Sequence, residues 1–208
     1  MTKIWKPIKP PFAKHKAKIL LEAVETGKFI FQIGEYDLIR KPSADVSVDK
    51  IKSKEIQKKI KYLKDCLVKF RKITGHGRGV TGVQVGIPER ISVFWIEDKF
   101  IITINPKITN KSNKLYIYPE MCMSALPVIA PVVRPAWVEV EYYDENGVRQ
   151  VWNTKDDTQP HIMMNRVLQH EIDHMNGIIN IDLVKNPNEL FLESDPKFYH
   201  EAKFEEVS

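Results

Sequence analysis

The chain has 208 residues, of which 43% are hydrophobic and 28% are charged, which suits one globular domain with a sizeable core and excludes a disordered polypeptide. It contains neither the run of about 18 apolar residues that a membrane span needs nor the apolar core of a signal peptide, so we expect a cytoplasmic protein without a membrane partner. The formal net charge of +5 would suit contact with a ribosome surface, but no RNA-binding motif accompanies the lysines, and we expect no specific nucleic-acid partner.

Composition divides the chain into three parts. Residues 1–28 are rich in Lys and Pro and are predicted to form a basic N-terminal arm with a short helix near residues 14–25. Residues 29–184 carry the strand, turn and helix signals of the folded domain. Residues 185–208 form an acidic C-terminal tail with two prolines, which indicates a loose arm or a short helix.

A helix is predicted after residue 50, because apolar side chains recur there on one side at helical spacing. These side chains are Ile51, Ile56, Ile60, Leu63, Leu67 and Phe70. Asp49 is the expected N-terminal cap. Cys66 shares the apolar side, so we interpret it as a buried core residue, and we expect no disulfide between it and Cys122 in the cytosol.

The next segment, residues 75–86, has five glycines in twelve positions, too many for a helix or a central strand. Its spacing matches neither the dinucleotide-binding fingerprint nor the P-loop. A loop of this kind turns tightly or lets the backbone approach a ligand closely. Gln84 carries its one amide side chain, which either satisfies loop backbone groups or, next to a metal, donates to an oxyanion.

Strands are predicted from β-branched and aromatic runs that follow this segment. They cover residues 91–96, 100–104, 115–118, 137–143, 148–152 and 178–183. Asn105-Pro106 is expected to end the second of them. Asp144-Glu145-Asn146-Gly147 is a hairpin turn signal between residues 137–143 and 148–152.

The sequence His170-Glu171-Ile172-Asp173-His174 lies in a predicted helix that stops at Asn176-Gly177. His170 and His174 are four residues apart and project from one helix face, about one turn apart. Two imidazoles so placed can share a metal ion, with Glu171 beside them as a general base. The alternative is a helix that carries two histidines by chance, and a metal site needs a third ligand from elsewhere.

Cys122 is the candidate for that third ligand. A single cysteine among apolar residues is most often part of the core, but a thiolate is a strong ligand for a divalent first-row metal. Together with two histidines it would leave one coordination position open for water. Cys122 as a nucleophile is the rival interpretation, which would require a histidine to act as its base.

Three motifs occur in one order: Gly77-x-Gly79-x-x-x-x-Gln84, Glu120-x-Cys122-x-Ser124 and Gln169-His170-Glu171-x-Asp173-His174. With them the sequence resembles the peptide deformylases over about residues 29–184, as a divergent member. The resemblance implies an α+β fold in which antiparallel sheets surround a central helix that carries the two histidine ligands.

The resemblance also implies the site and its chemistry. The residues that would bind one divalent metal ion are Cys122, His170 and His174. Fe²⁺ is the ion expected in the cell, and Ni²⁺, Co²⁺ or Zn²⁺ can replace it. Glu171 would be the general acid and base, and the Gln84 side chain and the Met123 backbone N–H would hold the oxyanion. The implied reaction is hydrolytic removal of the formyl group from the formyl-methionine of nascent polypeptides by metal-bound water, which releases formate.

Substrate contacts are predicted around this site. They are Gly77, Arg78, Gly79, Glu120, Met121, Met163 and Val167. The chain departs from the family pattern at several of these positions or next to them: Arg78 and Met121 stand where an apolar residue and a glycine are usual, Met123 replaces a leucine, and Thr81-Gly82 replaces two alanines. Because none of these is a metal ligand or the base, the departures concern substrate preference and rate. Asp173 is expected to pair with Arg134.

Three other functions stay open on the sequence alone. The first is the same metal chemistry on another N-acylated substrate. The second is a metal-bearing scaffold or ribosome-surface binder, against which Glu171 argues, because a structural site has no use for a base. The third is a zinc endoprotease, against which the upstream Cys122 argues, because the third ligand of that class normally lies downstream.

Overall fold

Two helices and two antiparallel sheets form the computed structural model, which describes residues 30–34, 37–96, 98–156, 158–193 and 204–207. The predicted N-terminal arm, residues 1–28, and its helix lie outside the described residues. The helices are α1 (Lys54–Thr74) and α2 (Gln159–Met175), and the strands are β1 (Gly79–Thr81), β2 (Ile91–Ile96), β3 (Lys99–Lys111), β4 (Leu115–Met121), β5 (Val128–Pro135), β6 (Val138–Tyr143), β7 (Arg149–Trp152), β8 (Phe191–Leu192) and β9 (Glu205–Val207).

The strand order is β1-β2-β3-β6-β7 in the first sheet and β8-β5-β4-β9 in the second. Every strand pair is antiparallel, which confirms the predicted α+β class with antiparallel sheets. β1 is an edge strand of the first sheet. β4 pairs with β5 along its length but with β9 only at Leu115, Tyr116 and Ile117. Within the described residues, positions 118–121 of β4 therefore have no strand on that side.

Helix α1 forms where apolar spacing predicted a helix, and its apolar side packs against the first sheet. The buried residues of this helix are Ile56, Ile60, Leu63, Cys66, Leu67 and Phe70, and all belong to one core cluster with residues of β1, β2 and β3. The predicted cap was wrong. Ser53 caps the helix, because its Oγ accepts a hydrogen bond from the Ile56 N–H (3.3 Å), whereas Asp49 lies in a preceding 3₁₀ turn.

Two strands that contain prolines differ from the prediction. β3 continues through Asn105-Pro106, where we predicted a break: Asn105 has a φ of 52° and the pairing with β6 shifts register between Ile104 and Lys107. A bulge thus absorbs the proline without ending the strand. β5 was not among the predicted strands, and it contains Pro131 and Pro135, a residue type that is rare within a sheet.

The C-terminal part of the chain differs most from prediction. Residues 178–183 do not form a strand, because the Asp182 carboxylate accepts a hydrogen bond from the Ile179 N–H (2.8 Å) and closes a 3₁₀ turn. Beyond residue 185, β8 and β9 join the second sheet, where we predicted a loose arm or a short helix. Phe204 stacks on Tyr118 of β4 with ring centroids 4.6 Å apart.

Helix α2 contacts β1 of the first sheet and β5 of the second, so it lies where the two sheets meet. Ile172 anchors it against Val138 and Val140 of β6. The helix ends at Asn176 and Gly177, as predicted, and Gly177 has a φ of 77° and passes close to the backbone of Arg40. Among the described residues, no helix has the length and apolarity needed to cross a bilayer.

Candidate active site

Three side chains from two distant parts of the chain converge on one point. On α2, the Nε2 atoms of His170 and His174 lie 3.2 Å apart, because one helical turn separates the two residues. The Cys122 Sγ lies 3.2 Å from the His174 Nε2. The three potential ligand atoms are all within 4.8 Å of one another, and Cys122 and His174 are fully buried.

This donor set fits a divalent first-row metal ion. Bonds from such an ion to imidazole nitrogen and thiolate sulfur measure about 2.0 to 2.3 Å, so ligand atoms about 3 to 4 Å apart can share it. One thiolate and two neutral imidazoles leave at least one coordination position for water or substrate. The set therefore suits a reactive metal centre better than a closed structural one.

Strand β4 positions the thiol. Cys122 follows the last residue of β4, in the turn that leads towards β5, and its side chain packs with Ile39, Ala125 and Ile179. The Ser124 backbone N–H points at the Cys122 Sγ from 3.4 Å. A turn after a strand thus brings the sulfur to His170 and His174, which follow it by about fifty residues and which sequence spacing does not place beside it.

Behind His170 lies a buried ionic network around Glu120. The Glu120 carboxylate accepts hydrogen bonds from Arg134 Nε (2.6 Å) and Nη2 (3.0 Å), and from Arg166 Nη1 (2.6 Å). Its Oε2 also lies 3.0 Å from the His170 Nδ1. Arg134 Nη1 donates to Asp173 Oδ2 (2.6 Å), which confirms the predicted pair.

This network fixes the charge of Glu120 and the orientation of His170, one of the three candidate metal ligands. Burial alone would raise the pKa of the Glu120 carboxyl, but the Arg134 guanidinium and the His170 hydrogen bond hold it well below its usual range. An ionised Glu120 accepts a hydrogen bond from the His170 Nδ1–H and leaves the Nε2 lone pair directed at the convergence point. The Glu120 carboxylate is therefore fully engaged by Arg134, Arg166 and His170.

Glu171 is buried and is held in place by residues of β1. The Thr81 hydroxyl donates to the Glu171 Oε2 (2.6 Å). Gly79 packs directly against the same carboxylate, since a Cβ at that position would lie 2.6 Å from its Oε1. Burial raises the pKa of the Glu171 carboxyl, against the lowering effects of His170 and of the Thr81 hydrogen bond.

Two donors face the same region. The buried Gln84 amide accepts a hydrogen bond from the Thr81 N–H at its Oε1 (2.9 Å) and donates from Nε2 to the Ser124 Oγ (3.1 Å). An amide NH₂ carries two hydrogens, so one remains. The Met123 backbone N–H donates to none of the described residues, whereas the Met123 carbonyl accepts from Gln32 Nε2 (2.9 Å).

A cavity of about 460 Å³ opens beside these groups. Every residue predicted to contact substrate lines it: Gly77, Arg78, Gly79, Glu120, Met121, Met163 and Val167. Gln84, Met123, His170 and Glu171 also line it, and so do Trp95 and Tyr118. Gly77 has a φ of 101°, and a Cβ there would lie 2.5 Å from the Met123 side chain, so only glycine suits this part of the wall.

Sequence reasoning missed two residues of the site. Arg166 holds Glu120, and its position four residues before His170 on the same helix face was the available signal. Thr81 was noted only as a departure from alanine, and its hydrogen bond to Glu171 depends on the packing of β1 against α2, for which the sequence offers no local signal.

Comparisons with known proteins agree on one family. The sequence model described as polypeptide deformylase matches residues 28–189. The peptide deformylase of Rhizobium meliloti (strain 1021) is 34% identical over 113 residues, 52% of this chain and 62% of that protein. The peptide deformylase of Synechocystis sp. is 37% identical over 119 residues, 55% of this chain and 60% of that protein. The matched stretches thus span about three fifths of the length of these curated relatives.

Solved structures extend the likeness to the fold. The crystal structure of a peptide deformylase from Synechococcus elongatus, in complex with actinonin, has a TM-score of 0.66 and 29% sequence identity. That match covers 89% of this chain and 85% of the other. The probable peptide deformylase of Synechococcus phage S-SSM7 gives a TM-score of 0.63, also at 29% identity, over 74% of this chain and 97% of that one.

Proposed function

The chain belongs to the polypeptide deformylase family, and from this premise we propose that it removes the formyl group from the N-terminal formyl-methionine of nascent polypeptides and releases formate. The observation that carries the proposal is the convergence of Cys122, His170 and His174 at a cavity that His170 and the neighbouring Glu171 line. A metal site next to a buried carboxylate and an open cavity is what hydrolysis of an amide requires.

Cys122, His170 and His174 would hold one divalent ion, for which we propose Fe²⁺ in the cell, with Ni²⁺, Co²⁺ or Zn²⁺ able to replace it. Bound there, the ion would supply Lewis acidity, which polarises a carbonyl oxygen and lowers the pKa of water. Glu120 orients His170 through the Nδ1 hydrogen bond. Since its carboxylate is engaged by two arginines and His170, we assign Glu120 to this positioning role and not to direct substrate contact.

Glu171 acts as the proton carrier of the reaction. It takes a proton from the water that attacks the formyl carbon and delivers it to the amine nitrogen when the carbon–nitrogen bond breaks. The Thr81 hydroxyl holds its carboxylate at the required place, and Gly79 leaves room for it. The products are formate and a peptide with a free N-terminal methionine.

The oxyanion that forms during the attack needs hydrogen-bond donors in fixed positions. We propose the second Nε2 hydrogen of Gln84 and the Met123 backbone N–H. Both groups line the cavity, and the Gln84 side chain is held by Thr81 and Ser124. A donor that is already fixed does not have to reorganise during the reaction.

The substrate would lie between two strand edges. Gly79 belongs to the edge strand β1, and residues 118–121 of β4 have no strand beside them among the described residues. Both edges line the cavity, so an extended peptide could pair with their backbone groups. Met163 and Val167 project from α2 into the same cavity and suit the methionine side chain.

The proposed substrate also indicates where the protein works and what it meets there. Formylated chains emerge from ribosomes, so we propose that the protein works in the cytoplasm, close to the ribosome surface. A net charge of +5 supports contact with a polyanionic particle.

Turnover of a formyl-Met peptide tests the proposal. Wild-type protein and Glu171→Ala are purified without oxygen and loaded with Fe²⁺ or Ni²⁺, and formate release is measured next to metal content. We expect the variant to keep its metal and to lose release. A folded, metal-loaded wild type that releases no formate would contradict the proposal and direct the search to peptides with other N-acyl groups.

A further inference from the structure

Arg78 is a charged residue of the cavity wall to which the proposed reaction assigns no role. Its side chain is exposed and lines the cavity, between the two glycines of the Gly77-Arg78-Gly79 segment. None of the described residues forms a salt bridge or a side-chain hydrogen bond with its guanidinium. An exposed arginine without a partner is available to a ligand.

The backbone holds Arg78 close to the reacting groups. Its carbonyl oxygen accepts a hydrogen bond from the Trp95 N–H (2.8 Å), which fixes the chain next to β2. The following residue, Gly79, packs against the Glu171 carboxylate. One residue of extended chain spans about 3.3 Å. Arg78 is therefore only about that far along the chain from the position that contacts Glu171, the proposed general base.

The other arginines of the wall already have partners. Arg166 is bound to Glu120 and to the Tyr116 carbonyl oxygen (2.6 Å). Arg71 donates to the Gly77 carbonyl oxygen and lies over the Trp95 ring, 5.7 Å from its centroid. Among the described lining residues, Arg78 is thus the arginine whose charge is not already used.

The carboxylates described in the cavity wall do not pair with Arg78. Of the acidic residues described in the wall, Glu120 is engaged by its arginines and Glu171 is buried against β1. Asp98 is exposed, and no salt bridge joins it to Arg78. The rim next to Arg78 therefore favours an anion.

We propose that Arg78 selects formylated peptides that carry an acidic side chain at the second or third residue. This inference rests on the proposed deformylase function and names its preferred substrates. The methionine side chain enters the apolar part of the cavity at Met163 and Val167, so the next residues pass the rim. An arginine side chain reaches about 6 to 7 Å from its Cα, the length of about two extended residues.

The expected effect is modest, because the pair forms at an exposed site. A side-chain carboxylate should raise kcat/KM roughly twofold to fivefold over the matching amide. The gain should appear mainly in KM, since the pair forms equally in the bound substrate and in the transition state. It should shrink at high salt, because exposed charges are screened.

The test compares formyl-Met peptides that differ only by Glu or Gln at the second or the third residue. Their C-termini are amidated in one set and free in another, which separates a side-chain carboxylate from the terminal one. Arg78→Gln should remove the preference, and Arg78→Glu should reverse it. Arg149→Gln, at an exposed arginine of β7 outside the cavity, is the control for the same loss of charge and should keep the preference.

Equal kcat/KM for Glu and Gln peptides in the wild type would overturn the inference. So would a preference that survives in Arg78→Gln, or a change in that variant that is uniform for all peptides. A preference that follows only the free C-terminus would overturn it as well. If no formylated peptide is turned over, the proposed function itself fails, which is a different result from turnover without preference.

Discussion

Replacing Gly79 with alanine tests whether the reaction requires Glu171 in the position that its contacts with β1 fix. Gly79 has no positive φ, so the backbone accepts alanine, and the effect is purely one of space. The new Cβ would lie 2.6 Å from the Glu171 Oε1, against 3.4 Å for the shortest ordinary contact. The carboxylate must therefore move by about 0.8 Å, away from its hydrogen bond with Thr81.

A displacement of this size at a general base should lower kcat/KM about tenfold to a hundredfold, roughly 1.4 to 2.7 kcal/mol of transition-state stabilisation. Metal content should not change, because the three atoms nearest to the new Cβ all belong to Glu171, which is not one of the proposed ligands. The assay is formate release from a formyl-Met peptide, with metal content and thermal unfolding measured on the same samples.

Gly147→Ala gives the opposite pattern and serves as the control. Gly147 has a φ of 73° in the turn between β6 and β7, and the nearest side-chain atom to a new Cβ is 3.8 Å away. Alanine there should cost about 1 kcal/mol of stability through backbone strain and leave kcat/KM unchanged. If Gly79→Ala keeps the wild-type kcat/KM while it is folded and loaded with metal, Glu171 does not act from the position described.

Three further predictions concern Thr81, Arg134 and Cys66. Thr81→Val removes the hydroxyl that holds Glu171 and should lower kcat/KM about tenfold with metal retained, whereas Thr81→Ser should restore activity; equal rates for valine and serine would refute the role of this hydrogen bond. Arg134→Ala leaves the buried Glu120 without its main partner. The variant should lower the free energy of unfolding by roughly 3 to 5 kcal/mol, measured with urea, and should lower metal affinity tenfold or more, measured by chelator competition. Unchanged stability and unchanged metal retention would show that the pairing does not matter. Burial raises the pKa of the Cys66 thiol to about 11, above about 8.5 in an unfolded chain, so the folded state keeps a proton that the unfolded state loses and stability falls between these pH values. From pH 9 to pH 10 the free energy of unfolding of the wild type, measured with urea, should fall by about 1 kcal/mol more than that of Cys66→Ala. Parallel pH curves for the two proteins would contradict this.

Local signals in the sequence predicted the helices and the ligand pair well. The apolar spacing of α1 and the two histidines of α2 depend on residues three and four positions apart, which a helix brings together whatever surrounds it. The hairpin of β6 and β7 was predicted for the same reason, because its turn lies in adjacent residues. The pairing of Arg134 with Asp173 was also predicted and is confirmed.

What the sequence could not predict depends on contacts between distant segments. β5 was not predicted and contains Pro131 and Pro135, yet the strand forms because β4 pairs with residues 129–135. The apolar run at residues 178–183 suggested a strand, but the Asp182 carboxylate caps a turn there instead. The role of Thr81 likewise exists only because β1 meets α2.

The pairing of β9 with β4 has a consequence for the order in which the molecule is made. A ribosome translates β4 and Cys122 first, then both histidines of α2, and only later residues 205–207. Such a contact, distant along the chain, forms late in folding. The proposed metal ligands therefore exist in the growing polypeptide before β9 joins the second sheet. During that interval the outer edge of β4 is open from residue 115 to residue 121, and the arrival of residues 205–207 shortens it.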